Sequence, residues 1–330
     1  MPMLRAISAT VVLVAATAPA TAQSATPQDW PSRPVNMVVP FAAGGPMDTV
    51  GRILALRLSE MLHQQVVVEN VGGAGGMTGA NRVAKAAPDG YTLLLGGSAT
   101  LALVPALYGR KTLYDPLADF AHVVQFADSA RILIARKDFP ASALKEFVAY
   151  ARANHGRMQY GSSGTGAGAH ICALLLDQQM GVKVTHVPYR GSGPAMQDLL
   201  AGRIDYICEQ ISTAVSQVKG GTVKAIATMG LSRSGVLPDL PTATEQGFDI
   251  DCASLSAFAF PKGTPDAIVR RLAEATNKVV ENAAVRERFE ALGVVIEPPE
   301  RRTIEYFVRN LPREVERAAM LVKTGGLSAD

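Results

Sequence analysis

The sequence predicts an α/β protein of two units, each a mainly parallel sheet with helices on both faces. Three observations predict it. Short apolar or β-branched runs alternate with amphipathic stretches, Gly-rich turns join one to the next, and the alternation starts twice along the chain. Such alternation favours strands that run parallel, because each return passes through a helix.

In the first unit, Val35 to Pro40 is a short apolar run that reads as a strand. From Asp48 to Leu62, the residues Val50, Ile53, Leu54, Leu58, Met61 and Leu62 recur at helical spacing. Gln65 to Glu69 is β-branched and strand-like, Asn81 to Ala86 continues a short helix, Pro88-Asp89-Gly90 turns, and Tyr91 to Leu95 is a third strand. The second unit starts near Ala130. Ile132 to Ala135 is its first strand, and Ser142 to Ala153 is a helix with Leu144, Phe147 and Val148 on one face. Gln159 to Ser162 is a strand, followed by a Gly-rich turn and a helix to Gln179. Val184 to Tyr189 is a strand, Pro194 to Ala201 a helix closed by Gly202, and Ile204 to Cys208 a strand.

The apolar segment Ser254 to Phe260 reads as crossing back to the first unit. Pro265 to Leu292 and Thr303 to Lys323 are long amphipathic helices, the second stopped by Gly325 and Gly326. No fixed-period repeat or low-complexity linker appears. The first unit is therefore discontinuous in sequence, and the passages between units form a hinge of crossing strands.

The N-terminus carries an export signal. Arg5 supplies a positive n-region, Ile7 to Ala16 is apolar apart from Ser8 and Thr10, and Ala20-Thr21-Ala22 offers small residues at a cleavage site. The run is too short to span about 30 Å of hydrocarbon. Cleavage after Ala22 would leave 308 of the 330 residues. No Cys follows the site, so lipid attachment is not indicated. Later segments never reach 18 uninterrupted apolar residues, and a soluble mature chain is expected.

Composition excludes several classes. The formal charge is +3, with basic residues scattered rather than clustered, which argues against nucleic-acid binding. No Gly-Lys pair exists, so there is no P-loop, and neither Gly73 to Gly79 nor Gly164 to Gly168 has dinucleotide-binding spacing. Gly161-Ser162-Ser163-Gly164 is not a nucleophile elbow. An exported hydrolase using Ser162 or Ser163 lacks an identifiable base and acid. The histidines at 63, 122, 155, 170 and 186 show no metal-ligand spacing, and neither metal nor cofactor is expected.

Three loops carry the chemistry, each between a strand and a helix. They are Phe41-Ala42-Ala43-Gly44-Gly45-Pro46-Met47-Asp48, Gly96-Gly97-Ser98-Ala99-Thr100, and Ser162-Ser163-Gly164-Thr165-Gly166-Ala167-Gly168. Glycine lets several backbone N–H groups converge on one anion, and a helix start adds roughly +0.5 charge. Such loops also serve as plain tight connections. Two of them, from different units and rich in donors, favour binding. His170, one turn into the helix after the third loop, is open to ligand contact or to capping and packing. Asp48 caps its helix and can border the ligand as well.

These loops in this order resemble the Bug-type periplasmic solute-binding receptors of tripartite tricarboxylate transporters. The resemblance spans Trp30 to about Gly326. Its marks are Trp30-Pro31-Ser32-Arg33-Pro34-Val35, Val39-Pro40-Phe41 with Gly44-Gly45 and Asp48, and Val67-Val68-Glu69-Asn70 followed by Gly73-Ala74-Gly75-Gly76. Further marks are Ala87-Pro88-Asp89-Gly90-Tyr91-Thr92-Leu93-Leu94, His186-Val187-Pro188-Tyr189 with Gly191, and Leu237-Pro238-Asp239-Leu240-Pro241-Thr242. It implies a two-domain periplasmic-binding-protein (Venus-flytrap) fold with crossing hinge strands. After the signal peptide (1–22), residues 30–128 plus 249–330 would form domain 1 and 129–248 domain 2.

The resemblance further implies a monomeric, non-catalytic receptor in the periplasm. It would grip one carboxylate of a small organic solute and deliver it to the small and large membrane subunits of the transporter. The same domain could instead present its solute to a membrane sensor kinase. The grip maps to Phe41, Ala43, Gly44, Gly45, Met47 and Asp48, to Ser162, Ser163, Thr165, Gly166 and Ala167, and to Ser98; His170 joins them as a candidate only by its place beside the third loop. The solute-selecting end maps to Glu209 and Gln210.

The chain departs from the family pattern at several places. Ala42 and Ala43 stand where prolines are common, Met47 where a small hydroxyl residue is, and Leu255 where Trp is frequent. Glu209 would repel a second carboxylate and could pair with an amine. Together these shift the expected solute from short dicarboxylates towards aromatic or longer monocarboxylates, or amine-bearing acids. Cys172, Cys208 and Cys252 allow one disulfide. If the Gln159 and Ile204 strands are neighbours, Cys172 meets Cys208. A Cys208–Cys252 bridge and three reduced thiols are the alternatives.

Overall fold

The computed structural model describes residues 30–324. The signal segment, its cleavage site after Ala22, and the stop at Gly325 and Gly326 lie outside the described residues. In chain order the first unit contributes β1 (Val35–Val39), α1 (Pro46–Leu62), β2 (Val66–Asn70), α2 (Met77–Ala84) and β3 (Thr92–Gly97). A π-helical turn, Ala99–Leu103, then leads into α3 (Val104–Tyr108), and β4 (Phe120–Ser129) follows. The second unit runs β5 (Arg131–Arg136), α4 (Leu144–Asn154), β6 (Gln159–Ser162), α5 (Gly168–Met180) and β7 (Thr185–Pro188). It continues with α6 (Ser192–Leu200), β8 (Tyr206–Gln210), α7 (Ile211–Lys219) and β9 (Val223–Thr228). The chain then returns through β10 (Ser254–Pro261), α8 (Asp266–Glu281), α9 (Ala283–Ala291), β11 (Val294–Ile296) and α10 (Ile304–Thr324).

Two separate sheets result, ordered β11-β4-β10-β3-β1-β2 and β7-β6-β8-β5-β9. Side-chain alternation along the strands sorts each core into two layers. Met37, Val39, Leu93 and Leu95 face α1 and α8, where Leu54, Leu58 and Leu272 meet them. Val38 and Leu94 face the other way, towards Ala80 of α2 and Phe307 and Leu311 of α10. In the second sheet Leu133, Tyr160, Tyr206 and Cys208 pack with Phe147 and Leu176, while Ile132, Ile134 and Ile207 pack with Leu199 and Ala214. Both faces of both sheets are covered, as the near-continuous apolar strands require.

The sheets are mixed rather than parallel, which corrects the simplest reading of the alternation. β1 runs parallel to β2 and β3, and β6 to β7 and β8. The crossing strands run against their neighbours: β10 is antiparallel to β3 and β4, and β5 to β8 and β9. A strand arriving from the other unit needs no helical return, so nothing compels a parallel course. Only Ala130 separates β4 in the first sheet from β5 in the second. On the return, Ser254 pairs with Ser129, which sets the two passages side by side at the hinge.

Pro265 to Leu292 is two helices, not one. Asn282 leaves the helical region with ψ 129°, and its side-chain oxygen accepts from the amides of Ala284 and Val285 to start α9. The sequence reading also passed over β4, α7, β9 and β11. α7 begins directly after β8 with no Gly-rich turn to announce it.

The disulfide differs from both expected pairings. Cys172 is bonded to Cys252, with Cα atoms 5.7 Å apart, and Cys208 is a buried free thiol. β6 does neighbour β8, as the expectation required. Its failure lies in the return passage: the Cys252 amide donates to the Met229 carbonyl at 2.7 Å, so the chain stays on the second unit until it reaches α5.

Candidate functional site

The first loop is organised by Asp48. At the third position of α1 this buried carboxylate accepts from the Gly44 amide (2.9 Å), Arg52 Nε (3.0 Å) and Asn70 Nδ2 (3.0 Å). Asn70 also donates to the Phe41 carbonyl at 3.1 Å, closing the loop on itself. Burial alone would raise the Asp48 pKa, but the Arg52, Gly44 and Asn70 contacts outweigh it and hold the carboxyl below its usual value. Asp48 therefore positions the loop and is spent on it.

In the second loop, the Ser98 hydroxyl accepts from the Leu255 amide at 3.1 Å. Leu255 itself packs into the core of the first unit. In the third loop, Ser162 is wholly buried. Its Oγ accepts from the Gly164 amide at 3.1 Å and lies 2.6 Å from His186 Nε2. The Gly166 amide donates to His170 Nδ1 at 3.1 Å, and the His170 and His186 rings stack with centroids 4.1 Å apart. His170 thus caps and packs. The serine–histidine contact supplies the base that the hydrolase alternative lacked, but no face of Ser162 is open to a substrate.

The loops of the two units are in contact. The Ala42 amide donates to the Arg190 carbonyl at 3.2 Å. Gly75 has φ +66°, and a β-carbon there would overlap the Thr165 carbonyl oxygen and stand 3.0 Å from the Ala167 nitrogen. Between these contacts lies a narrow cleft. Phe41, Pro46, Met47, Gly97, Ala99 and Ser254 line it from the first sheet's side, and Arg131, Ser163, Ser192 and Gln210 from the second's. Pro46, Ala99 and Ser192 each start a helical segment, and Gln210 precedes α7. First-turn amides have no partner within their own helix, so several donors converge here.

Of the expected site residues, Phe41, Met47, Ser163 and Gln210 line this cleft. Ala43 and Gly44 face a wider groove between the units, shared with α6, α7 and Arg288. Gly45 is buried, with Ser192 the nearest side chain to a β-carbon built on it. Ser98 lines an adjoining pocket that includes Cys172 and Cys252. Thr165 meets the first unit through its carbonyl, Gly166 packs against Val104, Leu107 and Tyr108 of that unit, and the Ala167 nitrogen stands near Gly75. Glu209 is not a solvated strand end: it is fully buried and absent from the cleft wall. Burial raises its pKa, and Arg131 partly opposes that.

Arg131 is the residue the sequence reading missed. It opens β5, is 7% exposed, and is the one charged side chain on the cleft wall among the described residues. Its guanidinium packs onto Gly168, where a β-carbon would collide with it. Among the described residues no acceptor hydrogen-bonds it and no carboxylate lies within 4.0 Å, although Glu209 and Asp128 are close enough to favour its charge. A signal existed: a lone arginine opening the buried run Ile132-Leu133-Ile134-Ala135, with no acidic residue beside it.

A profile of the tripartite tricarboxylate transporter family receptor matches residues 50–327. A protein encoded in the TAR-I ttuE-ttuC' intergenic region of Agrobacterium vitis is 42% identical over 320 residues, covering 96% of this chain and 90% of its own. The periplasmic binding protein BugD superposes with TM-score 0.88 at 37% identity, covering 91% of this chain and 99% of that one. MatC from Rhodopseudomonas palustris, solved with bound malate, gives TM-score 0.86 at 37% identity, covering 89% and 100%. The chain belongs to the tripartite tricarboxylate transporter receptor family.

Proposed function

We propose that this family member is an exported periplasmic receptor. It closes two units around a small organic carboxylate and hands it to the small and large membrane subunits of a tripartite tricarboxylate transporter. The single observation that carries the reading is the cleft itself, where helix starts from both units and a buried, unpartnered arginine converge. Such a site suits one carboxylate, since charge-assisted hydrogen bonds to an anion are the strong ones. MatC, of the same fold and family, holds malate, which supports an organic acid as the cargo class. Cleavage after Ala22 rests on Arg5, the apolar run and Ala20-Thr21-Ala22 in the sequence, and delivery to membrane subunits on the family reading.

A thermal-shift panel of mono-, di- and aromatic carboxylates and amino acids tests it. A ligand at one hundred times its Kd should stabilise the native state by about 2.7 kcal/mol. At least one carboxylate is expected to raise the Tm, with no turnover of ligand. A flat response across all carboxylates would overturn the assignment.

A further inference from the structure

We propose that Arg131 is the charged anchor of the cleft, and that the solute is a monocarboxylate whose apolar body lies on Phe41, Pro46 and Met47. This rests on the receptor reading above and deepens it. Arg131 presents five N–H donors in a planar fork, the geometry that matches a carboxylate. Among the described residues none of those donors meets an acceptor. A buried guanidinium without partners is costly, and a carboxylate entering the cleft satisfies it directly.

The charged groups around it decide the stoichiometry. Glu209 lies under the cleft wall on β8, Asp128 on β4 near the hinge, and Asp251 pairs with Arg317 at 3.5 Å. Glu209 and Asp128 oppose a second negative charge on the ligand wherever they are ionised, while Asp251 is balanced by Arg317. Burial raises Glu209 and Asp128, while Arg131 favours the ionised Glu209. Opposite Arg131 the wall is apolar: an aromatic ring, a proline and a thioether, with the Met47 sulfur accepting from Ser256 Oγ at 3.8 Å. A second carboxylate laid against that wall meets no cation among the residues lining the cleft; Arg317, in the adjoining pocket that Arg131 also lines, is paired with Asp251. Ser163, Ser192 and Gln210 remain to orient polar substituents near the anchor.

Calorimetric titration with benzoate, hexanoate, malate and adipate tests the assignment. The wild type should bind benzoate or hexanoate at least tenfold more tightly than malate or adipate. Because Arg131→Met alone strands Glu209 in the interior, the informative variant is Arg131→Met with Glu209→Gln, which should lose at least fiftyfold in monocarboxylate affinity. Arg131→Lys should recover part of that loss. A melting curve without ligand that matches wild type within a few degrees establishes that the double variant folds. Unchanged affinity in a folded double variant overturns the anchor and leaves the receptor reading intact. Tighter binding of malate or adipate overturns the monocarboxylate class. A wild type that binds none of the four overturns this inference; a flat response to the wider carboxylate panel removes the receptor reading itself.

Discussion

Gly75 of the first unit lies against the Thr165 carbonyl of the second so closely that no side chain fits between them. The contact is one between the two units, so any opening of the cleft would break it, and position 75 combines that closeness with a φ of +66°. Closure and the backbone of one glycine are therefore linked.

Gly75→Ala is expected to bias the protein towards an open arrangement. The left-handed conformation costs alanine roughly 1–2 kcal/mol wherever the loop keeps it, but the overlap with Thr165 is present only on closure. Affinity for a bound carboxylate should fall at least tenfold, more than the small loss in Tm accounts for. Small-angle scattering that shows full compaction on adding ligand to the variant would contradict this.

Ser162 and Ser163 should separate stability from binding. Ser162 is buried and held by Gly164 and His186, so Ser162→Ala is expected to cost about 1–2 kcal/mol in unfolding free energy. Ser163 lines the cleft, and no protein group bonds its hydroxyl. Ser163→Ala should leave the denaturation midpoint unchanged and weaken the ligand about two- to tenfold. Equal effects of both changes on both measurements would dismiss the distinction.

Thiol titration should find no reactive group in the native protein and one per chain after unfolding. Cys208 is buried, which pushes its thiol pKa up to about 12 and denies it both access and thiolate character. The Cys172–Cys252 bridge spans 80 residues, and breaking it with Cys252→Ser should cost about 2–4 kcal/mol. A midpoint unmoved by that change would show the bridge to be thermodynamically idle.

The buried histidines should contribute a loss of stability between pH 7 and pH 5. Burial lowers His122 and His186 to about 4; burial, then His186, lowers His170 to about 3, against 6.5 when unfolded. The unfolded chain therefore gains protons first as pH drops through 6.5. That costs about 2 kcal/mol at pH 5 for each of His122 and His170, less for partly exposed His186. Asp177 runs the other way: burial raises it to about 7, so the strain of ionising it is relieved on acidification. Asp128, Glu209 and Glu297, likewise raised by burial, act in the same direction as Asp177, so the histidine contribution is isolated by substitution rather than by the sign of the whole profile. His122 packs against Phe120 and Phe307, with neither ring nitrogen in a hydrogen bond of ordinary geometry, although the Pro116 carbonyl slightly favours protonation. His122→Phe should flatten the calorimetric decline with pH, and an unchanged slope would count against this account.

Most of the architecture was legible because it is written in local pattern. A short apolar run located β1, the helical spacing of apolar residues located α1, and the Gly-rich turn joining β6 to α5 located that pair, each within a few residues. Strand–glycine–helix turns marked three of the loops around the cleft. Less legible were elements without such punctuation: α7, which follows β8 directly, and β4, whose His122, Gln125 and Asp128 interrupt its apolar run. The break at Asn282 was likewise hidden inside a continuous amphipathic stretch.

The sequence by itself determined the α/β class, the two alternating units, the return of the chain near Ser254 and the family. All of these rest on spacing and order along one dimension. Tertiary structure alone decided that Cys172 meets Cys252, that Asp48, Ser162 and His170 are consumed in holding their own loops, and that Glu209 is sealed beneath the surface. It also decided that Arg131 faces the cleft. The physical reason is common to all: whether a polar group is free depends on which neighbours the fold delivers to it, and those neighbours lie dozens of residues away in sequence.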